Sequence, residues 1–384
     1  MWRAVPAVRC YIGPAMPAYT LAPQPLALPG VWHVRVHSAD ADAQALAQPG
    51  WRQHYEQLSP GAFDGLVQHV QLPGLRLVRE DSCRALHQRG DLGSDAYGLA
   101  LPLSMSAPAI FNGQRVGRDD LMVGRGDALD LVTPEQFSLI AVVVDAALLH
   151  PLWQQLYGTR PSAWIEHQLV LPARIASAGA VRRLHLQALQ RLGADASPIA
   201  DETSLLQLRD ALLIEWIEAL PERVDASELP TLAARKRLVQ RACALMLAQA
   251  DEPLSMLEVC RRVGASRRKL NYCFQDVLGT SPIRYLRAVR LNGVRRQLRA
   301  GGASVQQAAA RWGFWHLSEF AAAYRRQFGE LPSRTLRAGA GAPVRCPAVR
   351  PIRRDADAQR ASVGKGSPDV GGVARRPTGP SLRG

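Results

Sequence analysis

The sequence predicts an α+β chain of two unlike parts: a β-rich front followed by helices, then an all-α back. Three observations predict it. Between about residues 50 and 145, short alternating apolar runs are separated by Pro-Gly, Asn-Gly and Gly-Asp pairs, the punctuation of a strand-rich region. From 146 onward apolar residues recur three and four apart, the period of buried helix faces. The charge is also uneven. Of a formal +14, residues 235–337 hold 20 basic and 6 acidic side chains, whereas 1–234 hold 18 and 24, and 338–384 hold 9 and 3. An acidic front and a basic back exclude a uniformly basic packaging protein and point to one domain that meets a polyanion. A chain of 384 residues has room for two or three domains.

Residues 1–32 are rich in Pro and Ala without any period and are expected to form a disordered leader. A β-rich domain is expected over 33–145, with strands at Gln68–Leu72, Leu75–Arg79, Tyr97–Leu103 and Phe137–Asp145. Asn112-Gly113 after Ala109–Phe111 signals a tight hairpin. Such spacing suits a cupin-like barrel or a sandwich, a common container for a small ligand and so an effector or regulatory domain. The nine histidines contain no H-x-H pair, so a metal-bearing cupin enzyme is not supported and no metal site is expected. A helical segment for packing or dimerisation is expected over 146–220, with helices at Ala146–Leu156, Val181–Leu192 and Thr203–Ala219. In the last, Leu205, Leu208, Leu212 and Trp216 form one stripe that suits either core packing or a homodimer seam. Residues 221–234, between Pro221 and Pro230, read as a linker, and 338–384 as a disordered basic tail.

The basic segment 235–337 contains an internal repeat. Ser255-x-x-Glu258 recurs 49 residues later as Ser304-x-x-Gln307, each a capping box that opens a helix. Cys260 recurs as Ala309, a small residue for a close helix crossing, and Gly264 as Gly313, placed for the turn that ends the first helix. After a one-residue insertion, Leu270 matches Phe320, Phe274 matches Tyr324, Gly279 matches Gly329, Pro282 matches Pro332 and Leu286-Arg287 match Leu336-Arg337. Each unit reads as helix, short turn, helix: a helix-turn-helix, whose second helix enters a DNA major groove. In unit one that helix is expected at Arg267–Val277 behind the cap Ser266, with Leu270, Cys273, Phe274 and Val277 inward. Arg267, Arg268, Lys269, Asn271, Tyr272 and Gln275 are then left for phosphate and base contacts. In unit two it is expected at Leu317–Gln327, with Phe320 and Tyr324 inward and His316, Ser318, Glu319, Ala322 and Arg326 left for contact. Pro282–Ala300 reads as a connecting helix with Ile283, Leu286, Leu291, Val294 and Leu298 on its buried stripe, and Gly293 suggests a close helix contact. Its length, about 28 Å, approaches the roughly 34 Å repeat of the major groove, so a monomer could read two half-sites.

The stretch "GASRRKLNYCFQDVLGTSPIRYLRAVRL", followed by "AARWGFWHLSEFAAAYRRQFGELPS", resembles the AraC/XylS-type transcription regulators, above all in the Gly279–Leu291 run. Within that family "RRKLNYCF" and "WGFWHLSEF", together with Gln57–Gly65 and Gly126–Phe137, look most like regulators of ethanolamine-utilisation operons, so the resemblance covers about residues 50–337. It implies a bacterial, cytoplasmic regulator, an activator, that binds double-stranded promoter DNA and RNA polymerase. It also implies a small-molecule effector, ethanolamine with cobalamin. Two departures mark unit two. His316 stands where the family usually has a Ser or Asp cap, and Gly329-Glu-Leu-Pro332 stands where it has G-x-S-P. Ser318 and Ala322 are also short, so unit one is expected to supply more affinity.

Other classes have less support. No apolar run approaches the roughly 18 residues of a membrane span, and no continuous apolar segment near the start reads as a secretory signal. The six cysteines form no C-x-x-C pair, so neither a zinc ribbon nor a disulfide framework is expected. No Gly-rich phosphate loop, paired carboxylate motif or serine elbow is present, so no enzyme is expected. An alkyl-transfer DNA-repair protein with a similar DNA-binding module would need a Pro-Cys-His-Arg motif that the chain lacks. A nonspecific basic DNA-binding protein is the remaining alternative, and the ratio of specific to random-DNA binding separates the two.

Overall fold

The computed structural model describes residues 31–339, apart from 49, 94, 127–128, 162–164, 166, 168, 194–201, 222–228 and 249–253, together with 350–351. The expected leader, except 31–32, and most of the expected tail lie outside the described residues. The front half forms two sheets whose strand pairs are antiparallel. The larger sheet runs β12 (Leu169–Pro172), β9 (Asp120–Arg125), β6 (Ala96–Ser104), β11 (Phe137–Asp145), β4 (Leu75–Ser82), β3 (Gly65–Leu72), β1 (Trp32–Ser38) and β13 (Arg350–Pro351). The smaller runs β2 (Arg52–Gln57), β5 (Leu86–Asp91), β10 (Leu129–Thr133), β7 (Ala109–Phe111) and β8 (Gln114–Val116). A short helix, α1 (Ala41–Leu46), follows β1 behind the cap Asp40, whose carboxylate accepts from the Ala43 N–H.

The sheets face each other through an apolar layer to which β7, β8 and β10 give Ala109, Phe111, Val116 and Leu131, and β9 and β11 give Met122, Phe137 and Leu139. The opposite face of the larger sheet, with Leu75, Leu77, Leu99, Leu101, Ile140 and Val142, is covered by α2 (Ala146–Tyr157), α3 (Ile175–Gly193) and α4 (Glu202–Glu218). Burial on both faces explains why β11 reads as an almost unbroken apolar run rather than a clean alternation. Leu205, Leu212 and Trp216 are buried in this layer with Leu208 packed against it, so the α4 stripe is core rather than a free dimer seam. Asn112 and Gly113 both take positive φ in the two-residue β7–β8 turn, as the hairpin signal requires.

The structure shifts several expected boundaries. Val31 and Trp32 belong to the sheet domain rather than to a leader, because both are buried. The expected helical segment 146–220 contains β12, which pairs with β9 and extends the larger sheet past 145. The linker is shorter than 221–234, since α5 runs Leu229–Ala248 with Pro230 in its first turn, where a missing N–H costs nothing. Within the expected disordered tail, Arg350–Pro351 pairs with Trp32–His33.

The back part continues with α6 (Met256–Val263), α7 (Arg267–Leu278), α8 (Pro282–Ala300), α9 (Val305–Arg311), α10 (Leu317–Phe328) and α11 (Pro332–Gly339). It holds two separate cores. One gathers Val259, Leu270, Phe274, Val277, Tyr285 and Val289 and takes in Ile110 and Val132 from the smaller sheet. The other gathers Leu291, Val294, Leu298, Ala309, Phe320, Tyr324 and Phe328. Leu286, Leu291, Val294 and Leu298 of α8 are buried as expected, but Ile283 is 51% exposed: it lies off the side of the helix on which Pro282, Tyr285 and Leu286 are buried.

The halves are joined along α8 by polar contacts as well. The Asn292 side-chain amide donates to the Gln57 carbonyl at 3.0 Å, and its oxygen accepts from the Gln57 N–H at 3.3 Å. Gln327 and Gln57 exchange side-chain amide bonds to each other's backbone carbonyls at 2.9 and 2.8 Å. Arg296 pairs with Glu56 at 2.8 Å and Asp42 at 3.2 Å, and Arg295 and Arg299 both meet Asp40. Burial alone would push Glu56 up, but the Arg296 guanidinium, helped by His54, brings its carboxyl down to about 2. The ion pair therefore stays charged at any physiological pH. His87 sits between Asp130 at 2.9 Å and the Tyr285 hydroxyl at 3.1 Å, fastening the smaller sheet to the start of α8.

Candidate nucleic-acid interface

Each unit is built by local chemistry. Ser255 opens α6 by accepting from the Glu258 N–H at 3.2 Å. The reciprocal half of the expected capping box is missing there, because Glu258 pairs instead with Arg262 at 2.8 Å and Arg261 at 2.9 Å. Gly264 closes the helix at φ +68, a left-handed conformation that L side chains rarely adopt. Ser266 then caps α7 by accepting from the Lys269 N–H. In unit two Ser304 and Gln307 complete the full box. Trp312 ends α9 and lays its ring against α8, where a Cβ on Gly293 would stand 2.3 Å from it; this is the close contact that Gly293 foretold. His316 caps α10 with no side-chain hydrogen bond, so that helix start lacks what Ser266 provides for α7.

All six residues expected to read DNA in unit one, Arg267, Arg268, Lys269, Asn271, Tyr272 and Gln275, are exposed on α7, while Leu270, Cys273, Phe274 and Val277 are buried behind them. Arg268 lies over the Tyr272 ring at 5.6 Å, which holds both against one surface. Arg267, Arg268 and Asn271 also line a depression of about 500 Å³ with Met256, Cys260 and Ile283. Gln275 points elsewhere: its amide donates to the Gly279 carbonyl at the helix end. Three cations crowd the first turn of α7, where the helix dipole is positive and cations cost a few tenths of a kcal/mol each. Helix stability does not favour that placement, whereas an anionic partner does. By contrast α10 carries Glu319 in its first turn and Arg325 and Arg326 in its last, the arrangement the dipole prefers.

In unit two His316, Ser318, Glu319 and Ala322 are exposed along the N-terminal part of α10. Arg326, also exposed, lies at the other end, where its carbonyl accepts from the Gly61 N–H of the front half. The structure thus gathers four of the expected contact residues and sets Arg326 apart from them, near the domain junction. Two large apolar side chains at the same tip, Trp315 and Leu317, are 73% and 43% exposed. Neither is among the contact residues that the sequence predicts.

Among the described residues no cluster of His, Cys, Asp or Glu could hold a metal ion, and no helix is long and apolar enough to cross a membrane. Burial pushes the Cys243 thiol up to about 12 and raises that of Cys273, the reverse of an activated thiolate.

Residues 259–338 match a family model described as a helix-turn-helix domain. Over 103 residues the chain is 43% identical to the probable thc operon regulatory protein of Rhodococcus erythropolis, covering 26% of this chain and 31% of that one. Over 75 residues it is 43% identical to the XylDLEGF operon transcriptional activator of Pseudomonas putida, covering 19% and 23%. Among solved structures it is similar to an AraC-type DNA-binding-domain regulator from Chromobacterium violaceum, at 32% identity and TM-score 0.27, over 29% of this chain and 99% of that one. The chain thus spans a third or less of these curated relatives.

Proposed function

Residues 259–338 match a helix-turn-helix domain, and from that premise we propose that the whole chain is an AraC-type transcription regulator, an activator. It binds double-stranded promoter DNA through α7 and α10 and answers to a small molecule held in the β-rich half. The observation that carries this reading is α7: its apolar side is buried, and its exposed side presents three cations at the helix end that repels them. Such a surface gains from phosphate, while Asn271 and Arg268 have the forms that read adenine and guanine. RNA polymerase is the further partner, and the cytoplasm the location, that the resemblance implies.

The proposed effector, ethanolamine with cobalamin, is supported by the likeness of Gln57–Gly65 and Gly126–Phe137 to ethanolamine-operon regulators. The β half offers buried polar groups to a ligand. His69 is fully buried with neither ring nitrogen hydrogen-bonded, and Glu80 is buried beside Gln44 and Gln88. A ligand bound there would reach α8 through Glu56, Gln57 and Asp40, the residues that hold the halves together. Selection of duplexes from a randomised pool by the full chain, followed by gel shift against random DNA at fixed salt, tests the regulator reading. A sequence-specific chain prefers its selected duplex by about 10³ or more over random DNA; equal affinities would make it a nonspecific DNA-binding protein.

A further inference from the structure

Unit two carries one residue more than unit one between the turn glycine and the cap of its recognition helix. Gly264-Ala265-Ser266 in the first faces Gly313-Phe314-Trp315-His316 in the second. Phe314 takes the inward place, with its ring 5.1 Å from that of Phe320 and packed on the unit-two core. The extra residue has nothing left to cover it, and Trp315 stands 73% exposed directly before α10. Leu317, the first residue of α10, is 43% exposed beside it. In the repeat, Leu317, Ser318 and Glu319 take the places of Arg267, Arg268 and Lys269. One reader therefore has a cationic tip and the other an apolar tip followed by a carboxylate.

In the major groove the apolar group on a base edge is the thymine C5-methyl, and a carboxylate accepts from cytosine N4. We propose that Trp315 and Leu317 are specificity-determining residues that read thymine methyl groups in the second half-site, with Glu319 accepting from a neighbouring cytosine. This rests on the DNA-binding reading above and gives the two units different tasks. Unit one contributes phosphate and purine contacts and most of the salt-dependent attraction, and unit two contributes methyl discrimination. The apolar tip is continuous with the α10 surface, and Arg325, exposed on the same helix, adds positive charge to that side of the unit.

The test uses the full chain and a duplex it has selected, remade with deoxyuridine for thymidine in one half-site at a time. This removes the methyl and keeps every base hydrogen bond. The wild type is expected to bind the substituted duplex about fourfold more weakly per buried methyl, the factor given by roughly 0.8 kcal/mol per CH₂-sized group, in one half-site only. Trp315→Ala is expected to keep only the discrimination that Leu317 supplies, and Trp315→Ala with Leu317→Ala to bind both duplexes alike. Trp315→Arg is expected to discriminate as Trp315→Ala does but to bind both duplexes more tightly, which shows that the fold is intact. Equal binding of the wild type to thymidine and deoxyuridine duplexes overturns the proposal and leaves the exposed ring to a protein partner. Discrimination as large as the wild type's in both Trp315 variants overturns the assignment to Trp315. A chain that selects no duplex overturns the DNA reading beneath it, a different result from indifference to the methyl.

Discussion

Arg268 and Tyr272 occupy successive turns on the outer face of α7, and the guanidinium over the ring gives up part of its rotamer freedom before any DNA arrives. If this arginine reads a guanine edge, Arg268→Ala weakens binding to the selected duplex by about 1–3 kcal/mol while affinity for random DNA changes far less. Gel shifts on both duplexes check it, and an unchanged preference would remove Arg268 from the reading surface. Gly293 poses a different residue-scale question. In an open helix, Gly→Ala gains roughly 1 kcal/mol, but here the added Cβ would lie 2.3 Å from the Trp312 ring. That ring is 9% exposed and its Nε1 donates to Gln297, so it has little room to move. Gly293→Ala is expected to destabilise the chain by about 1–3 kcal/mol of overpacking, measured by denaturant unfolding; a stabilised variant would mean that Trp312 yields freely.

Among elements, α10 is the weaker-capped recognition helix. Serine at position 316 would accept from a first-turn N–H as Ser266 does, so His316→Ser should stabilise the chain by about 0.5–2 kcal/mol, read as a raised unfolding midpoint. The junction along α8 depends on charges that leave no easy substitute. Glu56 is fully buried against Arg296, so Glu56→Gln leaves part of a buried guanidinium unmatched and should cost about 3–5 kcal/mol. Faster hydrogen exchange in β2 and α8, with α2–α4 unaffected, would report that loss; unchanged protection would show that Asp42 suffices for Arg296. The helices of both units could be read from caps, turn glycines and inward aromatics, because every signal that builds them lies within a dozen residues. The junction could not. Asp40, Asp42 and Glu56 lie some 240 residues from their arginines and, taken in sequence, look like ordinary surface acids. Nor could β12, since Leu169–Pro172 is a four-residue run whose strand character comes from its pairing with β9.

At the scale of the whole molecule, buried histidines in the front half contribute to its response to acid. His185, on α3 and bonded to the Val78 carbonyl of the larger sheet, is pushed down to about 3 by burial, and burial together with Arg76 also lowers His69. Both are neutral when folded and bind protons only once unfolded below about 6.5, so the stability these two contribute is complete above that pH and is lost as pH falls from 6.5 toward 3; Asp42, pushed up to about 6 by burial, opposes them in part by taking up a proton in the folded chain. Thermal unfolding between pH 7.5 and 5.5 should show a falling midpoint, flattened in His185→Gln; a midpoint constant over that range would contradict the assignment. The charge segregation that first suggested a polyanion partner was legible as a count, and the outward cations of α7 from the repeat, but the α8 arginines that turn toward the front half were not. Of the α8 arginines, Arg295, Arg296 and Arg299 are spent on the junction, whereas Arg267, Arg268 and Lys269 remain exposed on α7. The central claim is that one chain reads two adjacent major grooves, and hydroxyl-radical footprinting of the full chain on a selected duplex tests it most directly. Two protected patches are expected on one face of the DNA, about 10 base pairs apart, with the patch under unit one lost in Arg268→Ala. A single patch, or protection no different from that on random DNA, would contradict it.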